Sequence, residues 1–584
     1  MAENKIDAIQ AAKSVWDVLD NVLRNVFTRN QLGEVLLPFV VLRRMDGILE
    51  KTNEDVYQAY ERYKNVLTED KIAPALRKAA GGHKFYNTSR FTFASLQGDA
   101  QNIDINFRTY INGFSPEVQD ILKNFNFDAV VQKLIRHGIL YAMIQKMSTF
   151  DYSPEAIDDH VMGSIFEEII RLANESNNQT AGEHFTPRDA IKLMSAILFE
   201  PDRDTLRQPG TIRTIYDPTC GTGGMVNIGK DYIRNVICAD LDDKQKPTIN
   251  TFGQELNEGA YAIAKSEAMI TGVDANNIQL GNTLTNDRFK GKRFTYMMAN
   301  PPYGITWKIE QEQVLNESLD PNGRFYAGTP RVSDGQLLFL QHMISKMDPS
   351  GSKIAVVTNG SPLFSGQAGS GESNIRKWIL DNDWLDCIIA LPNDMFYNTG
   401  IATYIWILSN RKEAKRRGKV QLINAASLCE PIQKILGSKR NEITERFRDK
   451  IWHLYDDYEE VEDLCKIFPN SEFGYMEVTV EQPLRNADGS LKLKKGEKQA
   501  DKKKSDTEKV RLDQNVFDYF VTEVLPHIDP EAWLDMTKSK MYYEINFTRC
   551  FYKFAEPEKA EVIAERIKEQ HKAILTQIEA LFAD

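Results

Sequence analysis

The chain has 584 residues, too many for one ordinary hydrophobic core, so about two or three domains are expected. Hydrophobic residues at 42% and charged residues at 27% are the balance of a globular protein, and no apolar run reaches the roughly 18–20 residues that span a membrane. A formal net charge of −11 argues against a strong stand-alone DNA binder, because that grip comes from Lys and Arg displacing phosphate counterions; a local basic face or a partner that supplies the grip remains open.

The opening MAENKIDAIQ lacks the basic-then-apolar pattern of a secretory leader, and the six scattered cysteines include no CxxC and no nearby His at metal spacing. A reduced cytoplasmic protein without metal or disulfides is therefore expected. Residues 1–174 read as a helical domain: Val15, Trp16, Leu19, Leu23 and Val26 recur at helical spacing, as do Leu32, Val35, Leu36, Phe39, Val40 and Leu42. Ser153 with Pro154 after it predicts a further helix through Ile165, Phe166, Ile169 and Ile170. The polar stretch NESNNQTAG (174–182) reads as a linker.

Over 175–410 short β-rich runs alternate with helical stretches, which predicts a doubly wound α/β sheet. The runs are Thr211–Tyr216, Thr248–Gln254, Asn276–Gly281, Thr295–Ala299, Lys353–Thr358, Asp386–Ala390 and Ala402–Leu408. Helices are predicted near Gly224–Arg234, Gly259–Thr271, Gly335–Met347 and Asn374–Asn382. Residues 411–556 look irregular, with a Lys-rich stretch at 491–509 that reads as a solvated loop or a DNA-backbone contact. The terminal segment 557–584 is helical, with Ile563, Ile567, Ile574, Ile578 and Leu581 on one stripe; such a stripe docks on its own domain or on a partner's coiled coil.

Chemistry concentrates at three strand ends. Asp217-Pro-Thr-Cys-Gly-Thr-Gly-Gly224 follows the first strand, where α/β sheets bind ligands and glycines admit close backbone approach. A plain strand-to-helix turn or a dinucleotide site stays open for this loop alone. The next strand ends at Glu255, a carboxylate able to accept both hydroxyls of a ribose. A third strand ends in Asn300-Pro301-Pro302-Tyr303. An exocyclic amine on an aromatic ring or acyl group is a poor nucleophile because its lone pair is delocalised. The Asn300 oxygen and the Pro301 carbonyl can accept both its hydrogens and bend the nitrogen toward tetrahedral geometry. Positioning and stabilisation of the charge developing on nitrogen then suffice, without a strong base. Prolines fix the backbone and remove competing donors, and Tyr303 offers a face on which an extruded base stacks.

The glycine loop, Glu255 and NPPY together resemble the motif set of S-adenosylmethionine-dependent amino-group methyltransferases. The longer context resembles the modification subunits of type I restriction systems. The stretches that carry this include GEHFTPRDAIKLM (182–194), YDPTCGTGGM (216–225), GQELNEGAYAIAKSEAMITG (253–272), GNTL (281–284), DGQLLFLQHMI (334–344), ALPNDMFYNTGIATYIWIL (390–408) and YYEINFTRCFYKF (542–554). The resemblance implies a Rossmann-like methyltransferase sheet and adenine-N6 methylation of DNA. It implies that Glu183, His184, Phe185, Thr186, Pro187 and Arg188 cover the methionine end of S-adenosylmethionine. Asp217, Gly221, Thr222, Gly223 and Gly224 would face the cofactor from the first loop, Glu255 its ribose, and Asn282 its adenine amine. Asn300, Pro301, Pro302 and Tyr303 would be the catalytic tetrad, and Phe396 either the second face of the base stack or a core aromatic.

Implied partners are DNA, a specificity subunit carrying two copies of this chain, and a restriction subunit. A catalytic subunit that borrows its sequence reading from a partner has no need to be basic. The rival readings are a stand-alone DNA methyltransferase, an enzyme acting on RNA or on a protein glutamine amide, and a non-enzymatic binding subunit that keeps the fold, against which the intact NPPY, glycine loop and Glu255 count.

Overall fold

The computed structural model describes every residue except 1–7, 29–30, 159–160, 164, 167, 170–171, 173–185, 272, 398, 554–557 and 582–584. The chain falls into two compact units, Met1–Ile545 and Asn546–Asp584.

The first unit begins with nine helices among the described residues: α1 (Ala8–Leu23), α2 (Leu32–Leu49), α3 (Asn53–Tyr63), α4 (Glu69–Ala79), α5 (Phe93–Leu96), α6 (Ile103–Asn112), α7 (Pro116–Asn124), α8 (Phe127–Arg136) and α9 (Leu140–Met147). The helix α2 is apolar nearly all round and buried along almost its whole length, as expected of a helix at the centre of a bundle. Phe39 on α2 stacks on Phe107 and meets Phe127 edge-on, at centroid distances of 5.8 and 5.1 Å. Arg44, also fully buried on α2, donates to the carbonyls of Tyr152 and Ile157 at 2.8 and 2.7 Å.

That capture corrects one expectation. The helix predicted to open at Ser153 does not: residues 153–157 form turns pressed onto α2, and helical backbone resumes at Val161. Gly47 makes the approach possible, since a Cβ there would lie 3.0 Å from the Ser153 nitrogen.

Among the described residues eleven strands follow in this unit before a change of architecture: β1 (Ile212–Asp217), β2 (Thr248–Glu255), β3 (Ile278–Leu280), β4 (Tyr296–Ala299), β5 (Lys353–Asn359), β6 (Leu385–Ala390), β7 (Thr403–Ser409), β8 (Lys419–Asn424), β9 (Glu430–Leu436), β10 (Lys439–Glu442) and β11 (Cys465–Pro469). Nine of them form one sheet in the order β11-β8-β6-β7-β5-β4-β1-β2-β3. β1 to β5 run parallel, whereas β7 is antiparallel to both β5 and β6. β1 lies between β2 and β4, so the order reverses there and the carboxyl ends of β1, β2 and β4 open on one crevice.

The seven strands expected from the sequence all form, within a residue or two. The sheet nevertheless crosses Asn410, because β8 and β11 extend it on the far edge. The stretch beyond is more regular than expected: β12 (Gly474–Glu481) is flanked by β15 (Asp506–Arg511) and β16 (Trp533–Tyr543) in an antiparallel sheet. Within the Lys-rich stretch, β13 (Leu493–Lys494) and β14 (Glu497–Lys498) make a small exposed hairpin that turns at Lys495 and Gly496, both at positive φ. The second unit holds the helix Ala560–Leu581, on which Ile563, Ile567, Ile574 and Ile578 are all exposed. Among the described residues no helix is long and apolar enough to cross a membrane.

Candidate active site

β1 buries its last three residues and ends at Asp217, whose carboxyl folds back to accept from the Thr219 amide at 2.8 Å and its hydroxyl at 3.2 Å. The next backbone bonds run from Cys220 N to Gln254 O (3.0 Å) and from Gly223 N to Cys220 O (2.8 Å). Gly221 and Gly223 take left-handed backbone, φ 54° and 88°, which a side chain disfavours, and Gly224 opens the following helix. Across from the loop, a Cβ on Gly253 would lie 2.7 Å from Cys220 Sγ, so the glycine in β2 is what lets the loop seat. Burial, with a smaller push from the neighbouring Glu255 charge, raises the Asp217 carboxyl to about 7 against the pull of the Thr219 hydrogen bonds.

Glu255 closes this loop onto β2. Its Oε2 accepts from Gly221 N at 2.8 Å, and its Oε1 from Leu256 N at 2.9 Å and Asn257 N at 2.7 Å. Asn257 then caps the helix Glu258–Ile270 by accepting from Ala260 N at 2.9 Å. Leu256 beside it is 62% exposed, an apolar face left open at the crevice.

Asn282, expected to meet an adenine amine, is committed to its own turn. Its oxygen accepts from Leu284 N at 2.9 Å and its nitrogen donates to Glu310 at 2.8 Å. The same turn is held by residues that the motifs did not single out. Arg324 donates to the carbonyls of Thr283 and Leu284 (2.7 and 2.8 Å) and to the Nδ1 of His342 at 3.0 Å. His342 is fully buried, and burial with the charges of Arg324 and Lys346 drives its pKa well below the usual range. A neutral ring accepting at Nδ1 carries its proton on Nε2, which donates to Tyr216 OH across 3.0 Å. His342 lies in the quoted stretch DGQLLFLQHMI, but nothing local to it marks the pairing.

β4 is wholly buried and pairs with β1, which brings Asn300 to the same crevice as the glycine loop. The Asn300 side-chain nitrogen donates to Thr186 Oγ1 at 2.9 Å, and its oxygen accepts a short hydrogen bond from Tyr303 OH. Burial raises the Tyr303 phenol above its ordinary range. Phe396 meets Tyr303 edge-on at 6.5 Å and is 3% exposed within the core, so it is a packing aromatic here rather than a second stacking face. Pro301 is buried, while Pro302 is half-buried on the crevice wall.

Of the EHFTPR stretch, Glu183, His184 and Phe185 lie outside the described residues. Pro187 is buried and caps the helix Arg188–Phe199, which Arg188 opens. The crevice is a cleft of about 920 Å³, with Thr222, Glu255, Asn282 and Asn300 on its sheet side. Glu34 and Leu37 of α2 and the Asn124–Asn126 turn after α7 form the opposite side. The two sides are tied by Lys265, which donates to Asp120 at 2.6 Å while Tyr261 donates to the same carboxylate at 3.1 Å.

The donor set fits the expected cofactor: two left-handed glycines leave the loop backbone bare, and a carboxylate stands at the next strand end beside an exposed Leu256. Asn300 offers an amide oxygen at the third strand end, where an amine needs an acceptor. Among the described residues no group of three or more His, Cys, Asp or Glu could hold a metal ion.

Two family profiles match the chain: N-6 DNA Methylase over residues 157–481 and HsdM N-terminal domain over 11–147. The chain is 26% identical over 491 residues to the type I restriction enzyme MjaIX methylase subunit of Methanocaldococcus jannaschii, covering 81% of each chain. It is 26% identical over 377 residues to the HindI methylase subunit of Haemophilus influenzae, covering 64% of this chain and 79% of that one. Among solved structures it is similar in fold to a type I restriction–modification methyltransferase subunit of Streptococcus thermophilus, with TM-score 0.62 and 23% identity over 79% of this chain and 97% of that one. A modification subunit of a type I restriction enzyme from Vibrio vulnificus gives TM-score 0.50 and 16% identity, over 84% and 96% of the two chains.

Proposed function

The chain belongs to the N-6 DNA methylase family, and from that premise we propose how its residues carry the reaction and which partners it works with. The reaction is methyl transfer from S-adenosylmethionine to the N6 amine of adenine in DNA, as the methylase subunit of a type I restriction–modification enzyme. The bound cofactor supplies an electrophilic methyl group on a sulfonium centre.

The chain's own residues do the rest. The bare backbone of Gly221 and Gly223 admits the cofactor closely, Thr222 lines the same wall, and the Glu255 carboxylate keeps one acceptor position, on Oε2, for a ribose hydroxyl. Leu256 offers an apolar contact to the cofactor's adenine, and Asn282 braces the turn beside it. The observation that carries the reading is Asn300 standing at the end of β4, next to the glycine loop of β1, with its amide oxygen held by a hydroxyl donor. An adenine extruded from the duplex brings an N–H donor to replace that hydroxyl, and the Pro301 carbonyl takes the second hydrogen. Both acceptors pull the amine out of conjugation and stabilise the positive charge that develops on nitrogen. Tyr303 then serves as a stacking face for the base.

DNA, a specificity subunit and a restriction subunit are the proposed partners, with two copies of this chain per specificity subunit. The net charge of −11 supports borrowed DNA affinity. The exposed isoleucine stripe of the helix Ala560–Leu581 supports a docking role on the specificity subunit.

The test is product analysis with isotopically labelled S-adenosylmethionine and unmethylated DNA, with and without the co-expressed specificity subunit. N6-methyladenine that appears only with the partner is the expected result. Methylation by the chain alone would make it self-sufficient, and label in RNA or protein but not in DNA would overturn the substrate.

A further inference from the structure

We propose that Thr186, expected from the resemblance to cover the methionine end of the cofactor, is instead a positioning residue that holds the amide of Asn300 with its oxygen toward the acceptor amine; this rests on the methyl-transfer reading above. An Asn side chain has an oxygen and an NH₂ of nearly the same shape, and only one flip of Asn300 can serve. With the oxygen toward the cleft, the adenine amine finds an acceptor. Flipped, Asn300 would present donors to a donor, and the base would bind without its lone pair being freed.

Tyr303 cannot hold the amide through the reaction, because its hydroxyl occupies the Asn300 oxygen and gives way there when the amine arrives. Thr186 approaches from the other end of the amide, where its Oγ1 takes the Asn300 N–H at 2.9 Å. Without it, the productive flip would leave that N–H unpaired in a half-buried site as the base enters, which penalises the one orientation the reaction needs.

The hydroxyl is held by more than its own loop. Pro187 restricts Thr186 to extended backbone and caps the helix Arg188–Phe199. Asp189, in the first turn of that helix, is gripped by Lys439 through both carboxylate oxygens at 3.1 and 3.0 Å and by Ile443 N at 2.9 Å. Lys439 is itself 4% exposed and also donates to Met395 O at 3.0 Å. The buried Lys439 of the β9–β10 hairpin thus anchors the helix that follows the hydroxyl holding the Asn300 amide.

The test compares Thr186→Val, which keeps the shape and loses the acceptor, with Thr186→Ser, which keeps it. Two quantities are measured on the full chain with its specificity subunit: the single-turnover methyl-transfer rate at saturating S-adenosylmethionine, and the Kd for S-adenosylhomocysteine. Thr186→Val is expected to slow transfer about 10- to 100-fold with Kd changed by less than about 3-fold, and Thr186→Ser to recover most of the rate. A wild-type rate in Thr186→Val overturns the proposal, as does a Ser variant as slow as the Val variant. A Kd that weakens in step with the rate, or is lost altogether, also overturns it and returns Thr186 to the cofactor's own contacts. A wild-type chain that methylates no DNA would instead remove the reading on which the proposal rests.

Discussion

Glu255→Gln separates the two tasks that the structure gives this residue. The carboxylate accepts three backbone N–H groups, two through Oε1 and the Gly221 amide through Oε2. A glutamine has one acceptor oxygen. Facing it toward Leu256 and Asn257 leaves its NH₂ against the Gly221 N–H, donor to donor. The loss is one hydrogen bond to a charged acceptor, about 1.5–3 kcal/mol, and a buried amide without a partner, about 1–3 kcal/mol. These overlap, so about 2–3 kcal/mol is the working figure. The free chain escapes by turning Gly221 toward water; the liganded chain has to restore the loop, so the cost appears in binding as a Kd about 30- to 150-fold weaker. Loss of one ribose acceptor adds to this. Calorimetric titration of the purified variant with S-adenosylhomocysteine reads the number directly. A Kd within about 3-fold of wild type would refute both the clamp and the ribose role, since each alone predicts more than 1 kcal/mol.

Asn300→Ala is expected to lower methyl transfer by at least about 100-fold while the S-adenosylhomocysteine Kd stays within about 2-fold, because it removes an acceptor for the amine and nothing the cofactor needs. Comparable losses in both quantities would contradict that division. Asp217→Asn tests the buried carboxyl raised to about 7. Native protein holds that proton from about pH 4 to 7 while the unfolded chain has released it, so wild-type stability falls as pH rises through this window and stays lower above it. An Asn oxygen can still accept from Thr219, so the gap in thermal midpoint between variant and wild type should widen in the variant's favour up to about pH 7; a gap independent of pH refutes the assignment. Finally, truncation before Pro557 removes the helix Ala560–Leu581 and should abolish co-purification with the specificity subunit while leaving cofactor binding intact. Normal co-purification of the truncated chain would sink the docking role.

The strands that carry the chemistry were legible because their signals are local. A short apolar run that stops at Gly, Pro or Asn, as Tyr296–Ala299 does before Asn300-Pro301-Pro302, specifies a strand and its end from neighbouring residues alone. The order of the glycine loop, Glu255 and NPPY along the chain likewise places them at successive strand ends of a doubly wound sheet. β11 and β16 were not legible for the converse reason. β11 ends in Pro469 at the sheet edge, and β16 is largely polar and exposed, so neither carries the buried alternation by which a strand is recognised.

What only the tertiary structure decided is which distant groups meet. A sequence pattern states which face of an element is buried but not whose atoms cover it. Arg44 captures carbonyls more than a hundred positions away, and so turns the chain at Ser153 where capping residues favoured a helix. Thr186 reaches Asn300 across 114 positions, and Glu255 reaches Gly221 across 34. The Thr186 and Glu255 pairings depend on crossover connections and strand register, which place donors and acceptors within about 3 Å only after the sheet has assembled.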